Sequence, residues 1–336
     1  MILVPMSSSL PLLPITRYRF TAVFETDLTL PDHAGSLLRG VFGAALRREA
    51  CMTGLPACGR CPLLRTCPYP SLFEMPPPPL DESAPIRQRF SQVPNPYVIE
   101  PPPPDVRERV AGEPLVWNMV LIGEPALCQL PLIVHAWQRA LRDGLGPRRC
   151  AGVLIDVEAM DLPEGPLSVF DPETAQVRPH APMLRLPTLP VAPDDTALTV
   201  QLHLLTPLRL QHQGQPLGPD RLDVRTLLGQ MLRRTTLMMD LHLGVRPVPY
   251  DAPALLARLS DVHDDRSGLR WRKWSRYSAR QRQEMNLGGV TGIWTLHGGS
   301  SLRPFLPWLH LGQWLHLGKN ATMGLGAYRL EVTEAH

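Results

Sequence analysis

GLGAYRLEV, residues 324–332, lies near the end of this chain, and GLGPRRCAGVLIDV, residues 144–157, lies near its middle. Each sets a Gly-Leu-Gly turn ahead of an apolar run of strand type, and what precedes the two turns is also alike. Ahead of the first, RYRFTAVFETDLTL (17–30) alternates Tyr18, Phe20, Ala22 and Phe24 on one side, the pattern of a half-buried strand. HAGSLLRGVFGAALRREA then places Leu37, Leu38, Val41, Phe42, Ala45 and Leu46 along one helical stripe. PYVIE and EPLVWNMVLIG read as strands, and residues 127–143 as a helix whose stripe is Ile133, Ala136, Trp137, Ala140 and Leu141. The turn and a last strand complete the order strand, helix, strand, strand, helix, strand, which is the split βαβ of a ferredoxin-like module.

Ahead of the second turn the order recurs. LTVQLHLL is a strand, and RLDVRTLLGQMLRRTTLMMDLHLG is a helix with Val224, Leu227, Leu228, Met231, Leu232 and Thr235 on one side. GLRWRKWSRYS and VTGIWTLHG are strands, and a short helix starts near Pro304. An internal duplication is a stronger signal than either turn alone. The expected fold is α+β: two tandem ferredoxin-like domains, 1–160 and 198–336, joined by a proline-rich linker at 161–197.

The 336 residues are 44% apolar, enough for two cores, and the net charge of +3 confines any nucleic-acid surface to a local patch. Proline is abundant, with 39 residues, many of them between 75 and 104. That stretch is incompatible with a regular helix and reads as an extended connector. The N-terminal MILVPMSSSLPLLPIT has no basic residue before Arg17 and is broken by prolines, a poor signal peptide, and no run is long enough to span a bilayer. The expectation is a soluble, cytoplasmic protein.

Of six cysteines, Cys51, Cys58, Cys61 and Cys67 share residues 51–67 with the spacing C-x6-C-x2-C-x5-C. In a reducing compartment four clustered thiols suggest tetrahedral zinc. An iron–sulfur cluster and unliganded thiols are the alternatives. Cys128 and Cys150 stand apart and read as buried apolar residues. The acidic run Asp261, Asp264, Asp265 reads as loop. No HExxH, no G-x-S-x-G and no paired-acid cluster is present.

Around the second turn, LGKNATMGLGAYRL (317–330) resembles a phosphate loop, but its Gly-Lys comes first and it feeds a strand, the wrong order and context for a Walker motif. It reads either as a cradle for a phosphate backbone, through Lys319, Asn320, Gly324 and Gly326, or as a tight connection into an edge strand. Residues 270–282 hold Arg270, Arg272, Lys273, Arg276, Arg280 and Arg282 with no acid, interleaved with Trp271, Trp274 and Tyr277. Cations neutralise phosphates and flat rings stack on unpaired bases, so this stretch points to RNA or single-stranded DNA. The competing reading is a solvated basic edge whose rings face the core.

With these motifs in view, the chain resembles the CRISPR precursor-RNA processing endoribonucleases of the RAMP superfamily, above all a longer branch with a cysteine insert. The resemblance rests on LLRGVFGAALRREAC running into CGRCPLLRTCPYPSLFE, on WNMVLIGEPA, on GLGPRR, on RWRKWSRYSARQ with NLGGVTG, and on HLGKNATMGLGAYRL. It implies two ferredoxin-like domains and cleavage of repeat RNA without a catalytic metal, a ribose 2′-hydroxyl attacking its own phosphate to leave a 2′,3′-cyclic phosphate. It implies His33, Arg39 and Tyr277 as candidate catalysts, Arg148 and Arg149 beside the first turn as further RNA contacts, and other CRISPR effector subunits as partners. A catalytically silent subunit that only holds the guide RNA is the alternative.

Overall fold

The computed structural model describes residues 12–77, 93–185, 197–243, 252–278, 283–299 and 301–335, and the chain divides into two compact units. The N-terminal unit spans Pro14–Leu184. Its elements are β1 (Ile15–Phe24), α1 (Gly35–Ala50), α2 (Pro68–Phe73), β2 (Tyr97–Glu100), β3 (Leu115–Ile122), α3 (Leu130–Asp143) and β4 (Gly152–Ala159). The sheet runs β2-β3-β1-β4 with every pair antiparallel, the strand order of a ferredoxin-like module. Alternation along β1 buries Tyr18, Phe20, Ala22 and Phe24, which share one core with Leu38, Phe42, Ala45 and Leu46 of α1 and with Ile133, Trp137 and Leu141 of α3. The end of α3 is set by Gly144, whose φ of 90° lets its N–H reach back to Ala140 and Leu141.

Two expectations change here. Residues 161–184 are part of the unit rather than linker: β5 (Leu167–Ser168) extends the sheet beside β4, and Val169, Phe170 and Leu184 are buried. Their apolar side chains add to the core, which proline content alone conceals. PYVIE forms the expected strand, β2, at the end of the proline-rich stretch 75–104, with Tyr97, Val98 and Ile99 fully buried against β3, while residues 78–92 lie outside the described residues. Cys128 is exposed, whereas Cys150 is buried with its thiol 3.4 Å from the Asp27 carbonyl.

The C-terminal unit repeats the plan with β6 (Ala197–Leu208), α4 (Val224–Met238), β7 (His263–Asp265), β8 (Arg270–Arg272), β9 (Ser275–Ser278), β10 (Gln283–Asn286), β11 (Gly289–Gly298), α5 (Leu306–Leu315) and β12 (Tyr328–Ala335). The sheet order is β7-β11-β6-β12, the same arrangement as in the first unit. Asp223 caps α4, accepting from the Thr226 N–H at 2.7 Å. Leu198, Val200 and Leu202 of β6, Leu227, Leu228 and Met231 of α4, Trp294 of β11 and Leu309 of α5 form its core. Asp264 and Asp265, expected in loop, lie in the edge strand β7. Asp264 is held there by the indole N–H of Trp294, at 2.9 Å, and by Arg266. β7 and β8 follow one another along the same side of β11, so the expected strand over 268–278 is short and is followed by the β9–β10 hairpin. No helix among the described residues is long and apolar enough to cross a membrane.

Candidate nucleic-acid interface

Between α5 and β12 the backbone takes a positive φ five times, at His316, Gly318, Asn320, Gly324 and Gly326. A Cβ on Gly326 would lie 1.8 Å from the Leu317 carbonyl oxygen, and one on Gly318 2.6 Å from that of Arg209. Glycine is required at both places. The close approach is sealed by hydrogen bonds: Lys319 N–H donates to Arg209 O at 2.9 Å, Gly324 N–H to Ala321 O at 2.9 Å and Gly326 N–H to Pro207 O at 3.1 Å. Gly324 and Gly326, expected to offer amides to a phosphate, are buried with those amides already bonded, so they shape the loop and do not bind. The Lys319 side chain is exposed at its rim, and Asn320 is half-buried.

The take-off of this loop is held from beneath. Arg234 of α4 donates through Nε to the His316 carbonyl at 2.6 Å and through Nη2 to that of Leu315 at 2.5 Å, the terminal carbonyls of α5. A cation suits that end of a helix. Burial lowers the Arg234 guanidinium to about 10, still charged at neutral pH.

The basic stretch is fastened to the same loop. Trp274, Leu287 and Leu325 form a small core of their own, and Leu287 N–H donates to Trp274 O at 2.7 Å. Trp274 is therefore not a base-stacking ring: it is 9% exposed, and the Arg272 guanidinium lies 4.5 Å from its ring centroid. Trp271 is half-buried and packs against the main core of the unit. Alternation along β8 turns Trp271 inward and leaves Arg270 and Arg272 exposed, while beyond the end of that strand Lys273 is exposed and Trp274 buried. Arg276 and Tyr277 lie on β9, with their side chains outside the described residues, and Arg280 and Arg282 lie outside them altogether.

In the N-terminal unit Gly144–Leu145–Gly146 occupies the equivalent place between α3 and β4. Its glycines have φ of 90° and 72°, against 84° and 72° for Gly324 and Gly326, and the leucine between them is fully buried in both turns. Here Leu145 and Cys150 exchange two 2.9 Å backbone hydrogen bonds, closing a short loop that exposes Arg148 and Arg149.

Residues 202–328 match the family model of the CRISPR-associated endoribonuclease Cas6, and residues 12–182 match the model AF_1859_N, described as an N-terminal domain. The C-terminal unit carries a domain of the Cas6 endoribonuclease family. The Cas6 fold is seen in solved structures: a Thermus thermophilus Cas6 product complex aligns with TM-score 0.52 at 17% identity, covering 94% of this chain and all of that one. A partial Cas6-RT-Cas1–Cas2 complex aligns with TM-score 0.56 at 15% identity over 98% of this chain and 48% of that chain. Among curated proteins no sequence matches.

Two of the candidate catalysts lie at the start of the first helix. His33 is half-buried just ahead of α1, whose N-cap is Ala34 without a side-chain cap, while Asp32 pairs with Arg107. Arg39 is not simply solvated. Its guanidinium carbon lies 4.2 Å from the Phe73 ring centroid, and its buried Nε has no hydrogen-bond partner among the described residues. Phe73 stacks between Tyr69 and Tyr97. Tyr97 is fully buried, and burial pushes its hydroxyl up to about 12 against the opposing pull of Arg39 and a hydrogen bond from Asn95. Sequence reading missed Phe73, Tyr97 and Asn95 as neighbours of Arg39. The ring spacing of Tyr69 and Phe73 behind Cys67 was the available signal.

The four clustered cysteines line one pocket, and all are free thiols. Among the described residues no three metal-ligating side chains stand close enough together to hold an ion as they are. Backbone N–H groups of Gly54 and Thr53 hold the Cys51 thiol below its usual value, while burial pushes Cys58 up.

Proposed function

We propose that this protein is an endoribonuclease that cuts CRISPR precursor RNA within its repeats and keeps hold of the hairpin 3′ to the guide. The observation that carries the reading is the exposed cation set Arg270, Arg272, Lys273 and Lys319, on two segments locked together by Trp274, Leu287 and Leu325 inside the region that matches Cas6. Such a set neutralises RNA phosphates and positions the strand.

The chemistry is transesterification. The 2′-oxygen forms a bond to its own phosphorus, the bond from phosphorus to the 5′-oxygen breaks, and a 2′,3′-cyclic phosphate and a 5′-hydroxyl result. A base takes the 2′-proton, an acid supplies one to the 5′-oxygen, and a cation stabilises the phosphorane. His33 suits the proton transfers because imidazole titrates near neutral pH. Arg39 suits the phosphorane, since its guanidinium is held against Phe73 with an unanswered donor. Tyr277 is the third candidate, as acid. No metal takes part in the cleavage as proposed, and the product stays bound as part of a larger CRISPR effector assembly.

The test uses purified protein, end-labelled repeat RNA and EDTA. A single discrete cut leaving a 2′,3′-cyclic phosphate is expected. Tight binding with no cut would leave the silent guide-holding subunit as the answer.

A further inference from the structure

The insert at 51–67 belongs to none of the RNA-facing groups, yet its thiols come from three separate pieces of backbone. Cys51 follows the last residue of α1, Cys58 and Cys61 bracket a single turn in which Cys61 N–H donates to Cys58 O at 2.9 Å, and Cys67 precedes α2. All four line one pocket whose other walls include Leu55, Leu63 and Pro70. We propose that these four cysteines hold one structural zinc ion, and that this ion seats α2 so that Phe73 supports Arg39.

The first half rests on how much of a thiolate site is already built. Arg47 donates to the Leu55 and Pro56 carbonyls at 2.7 and 2.8 Å, clamping the loop between Cys51 and Cys58. The Cys61 sulfur lies 3.5 Å from the Thr53 hydroxyl and that of Cys67 3.8 Å from the Ala50 carbonyl. The sulfurs stand too far apart to hold an ion as they are, so loading requires them to turn toward one another. Soft, clustered thiolates favour zinc over harder ions.

The second half rests on the shortness of α2. Phe73 is the sixth residue after Cys67, so a shift at Cys67 is carried to the ring. Phe73 sits where α1 lacks a side chain: a Cβ on Gly43 would lie 2.2 Å from the ring. Arg39 lies over the Phe73 ring, which is itself stacked with Tyr69 and Tyr97. This half also rests on the endoribonuclease reading, and the experiment separates the two.

Zinc is measured by plasma mass spectrometry on the full chain without RNA. About one ion per chain is expected for four thiolates, with loss in Cys58→Ser/Cys61→Ser, and cobalt substitution should give the intense visible bands of a tetrahedral tetrathiolate. Zinc-free protein is also made by dialysis of the wild type against 1,10-phenanthroline, which keeps the test intact should the double variant misfold. Hydrogen exchange of residues 68–74 should rise in the zinc-free form and fall on zinc addition. Cleavage should drop about 10- to 100-fold, the usual cost of a misplaced catalytic group, and the drop should vanish in the Arg39→Ala background. A metal-free folded protein, an iron–sulfur chromophore, or disulfides in place of thiols overturns the zinc site. Unchanged exchange at 68–74, or an equal drop in the Arg39→Ala background, overturns the coupling. Zinc with no cleavage in any form overturns the endoribonuclease reading instead.

Discussion

Arg39 draws its character from what lies under it. A guanidinium laid on Phe73 keeps its planar fork in one orientation, which a lysine at the same place does not reproduce. Arg39→Ala is expected to lower the cleavage rate by about a hundredfold or more, in the range of lost transition-state donors, and Arg39→Lys to recover little of it. Single-turnover kinetics against equilibrium RNA binding separates the two effects: a fall in affinity with the bound-state rate intact would make Arg39 a binding residue only. The glycines argue in the other direction. Lys319 remains a candidate RNA contact, whereas Gly326 is there because its backbone presses on Leu317 and bonds the end of β6, and Gly324 because its φ is positive. A glycine-rich stretch in a sequence does not reveal whether its amides face a ligand or a neighbouring carbonyl, since both uses demand the same residue.

At the level of elements, α1 and α3 are tied by Glu49, which accepts from Arg139 at 2.6 Å and faces His135 at 3.1 Å. The hydrogen bond from Arg139 is the main reason that the Glu49 carboxylate stays below the ordinary range. A carboxylate lowered by folding contributes stability above its unfolded value, and the contribution is lost as the pH falls through its folded value. Glu49→Gln should therefore cost about 1 kcal/mol near neutral pH, and the difference from wild type should close in acid. Urea melts from neutral pH down into the acid range check this, and a gap that persists in acid would contradict it. In the second unit, Trp274→Ala should cost about 3 kcal/mol by opening a cavity and weaken RNA binding through the loosened hairpin, with Trp274→Phe restoring most of both. Reduced RNA binding with unchanged stability would instead make Trp274 a stacking ring. The alternation that pointed to RNA in this stretch was legible, but a strand pattern fixes which residues share a side, not which side faces the core. That is why the sequence left open whether the rings of this stretch face RNA or the core, and Trp274 takes the second course. Asp264 went unread for a related reason, since only the fold reveals that Trp294 lies across from it.

Over the whole chain, two cores form from separate residues, and each unit carries its own Gly-Leu-Gly turn between last helix and last strand. That much was legible, because duplicated order survives any uncertainty in element ends. Where the first unit finishes was not, since Val169, Phe170 and Leu184 sit among prolines and short strands that carry no period. The electrostatics of RNA binding belong to this scale too. The logarithm of affinity should fall linearly with that of salt, and Lys319→Ala should reduce the slope by about one. An unchanged slope would remove Lys319 from the phosphate contacts. Arg234 gives that measurement its meaning. Its charge is shut beneath the end of α5, out of reach of the bulk ions that screen the surface. Raising the ionic strength can lift RNA off this unit while the loop stays hung from its internal peg, so release and rebinding run as a cycle on an unaltered frame.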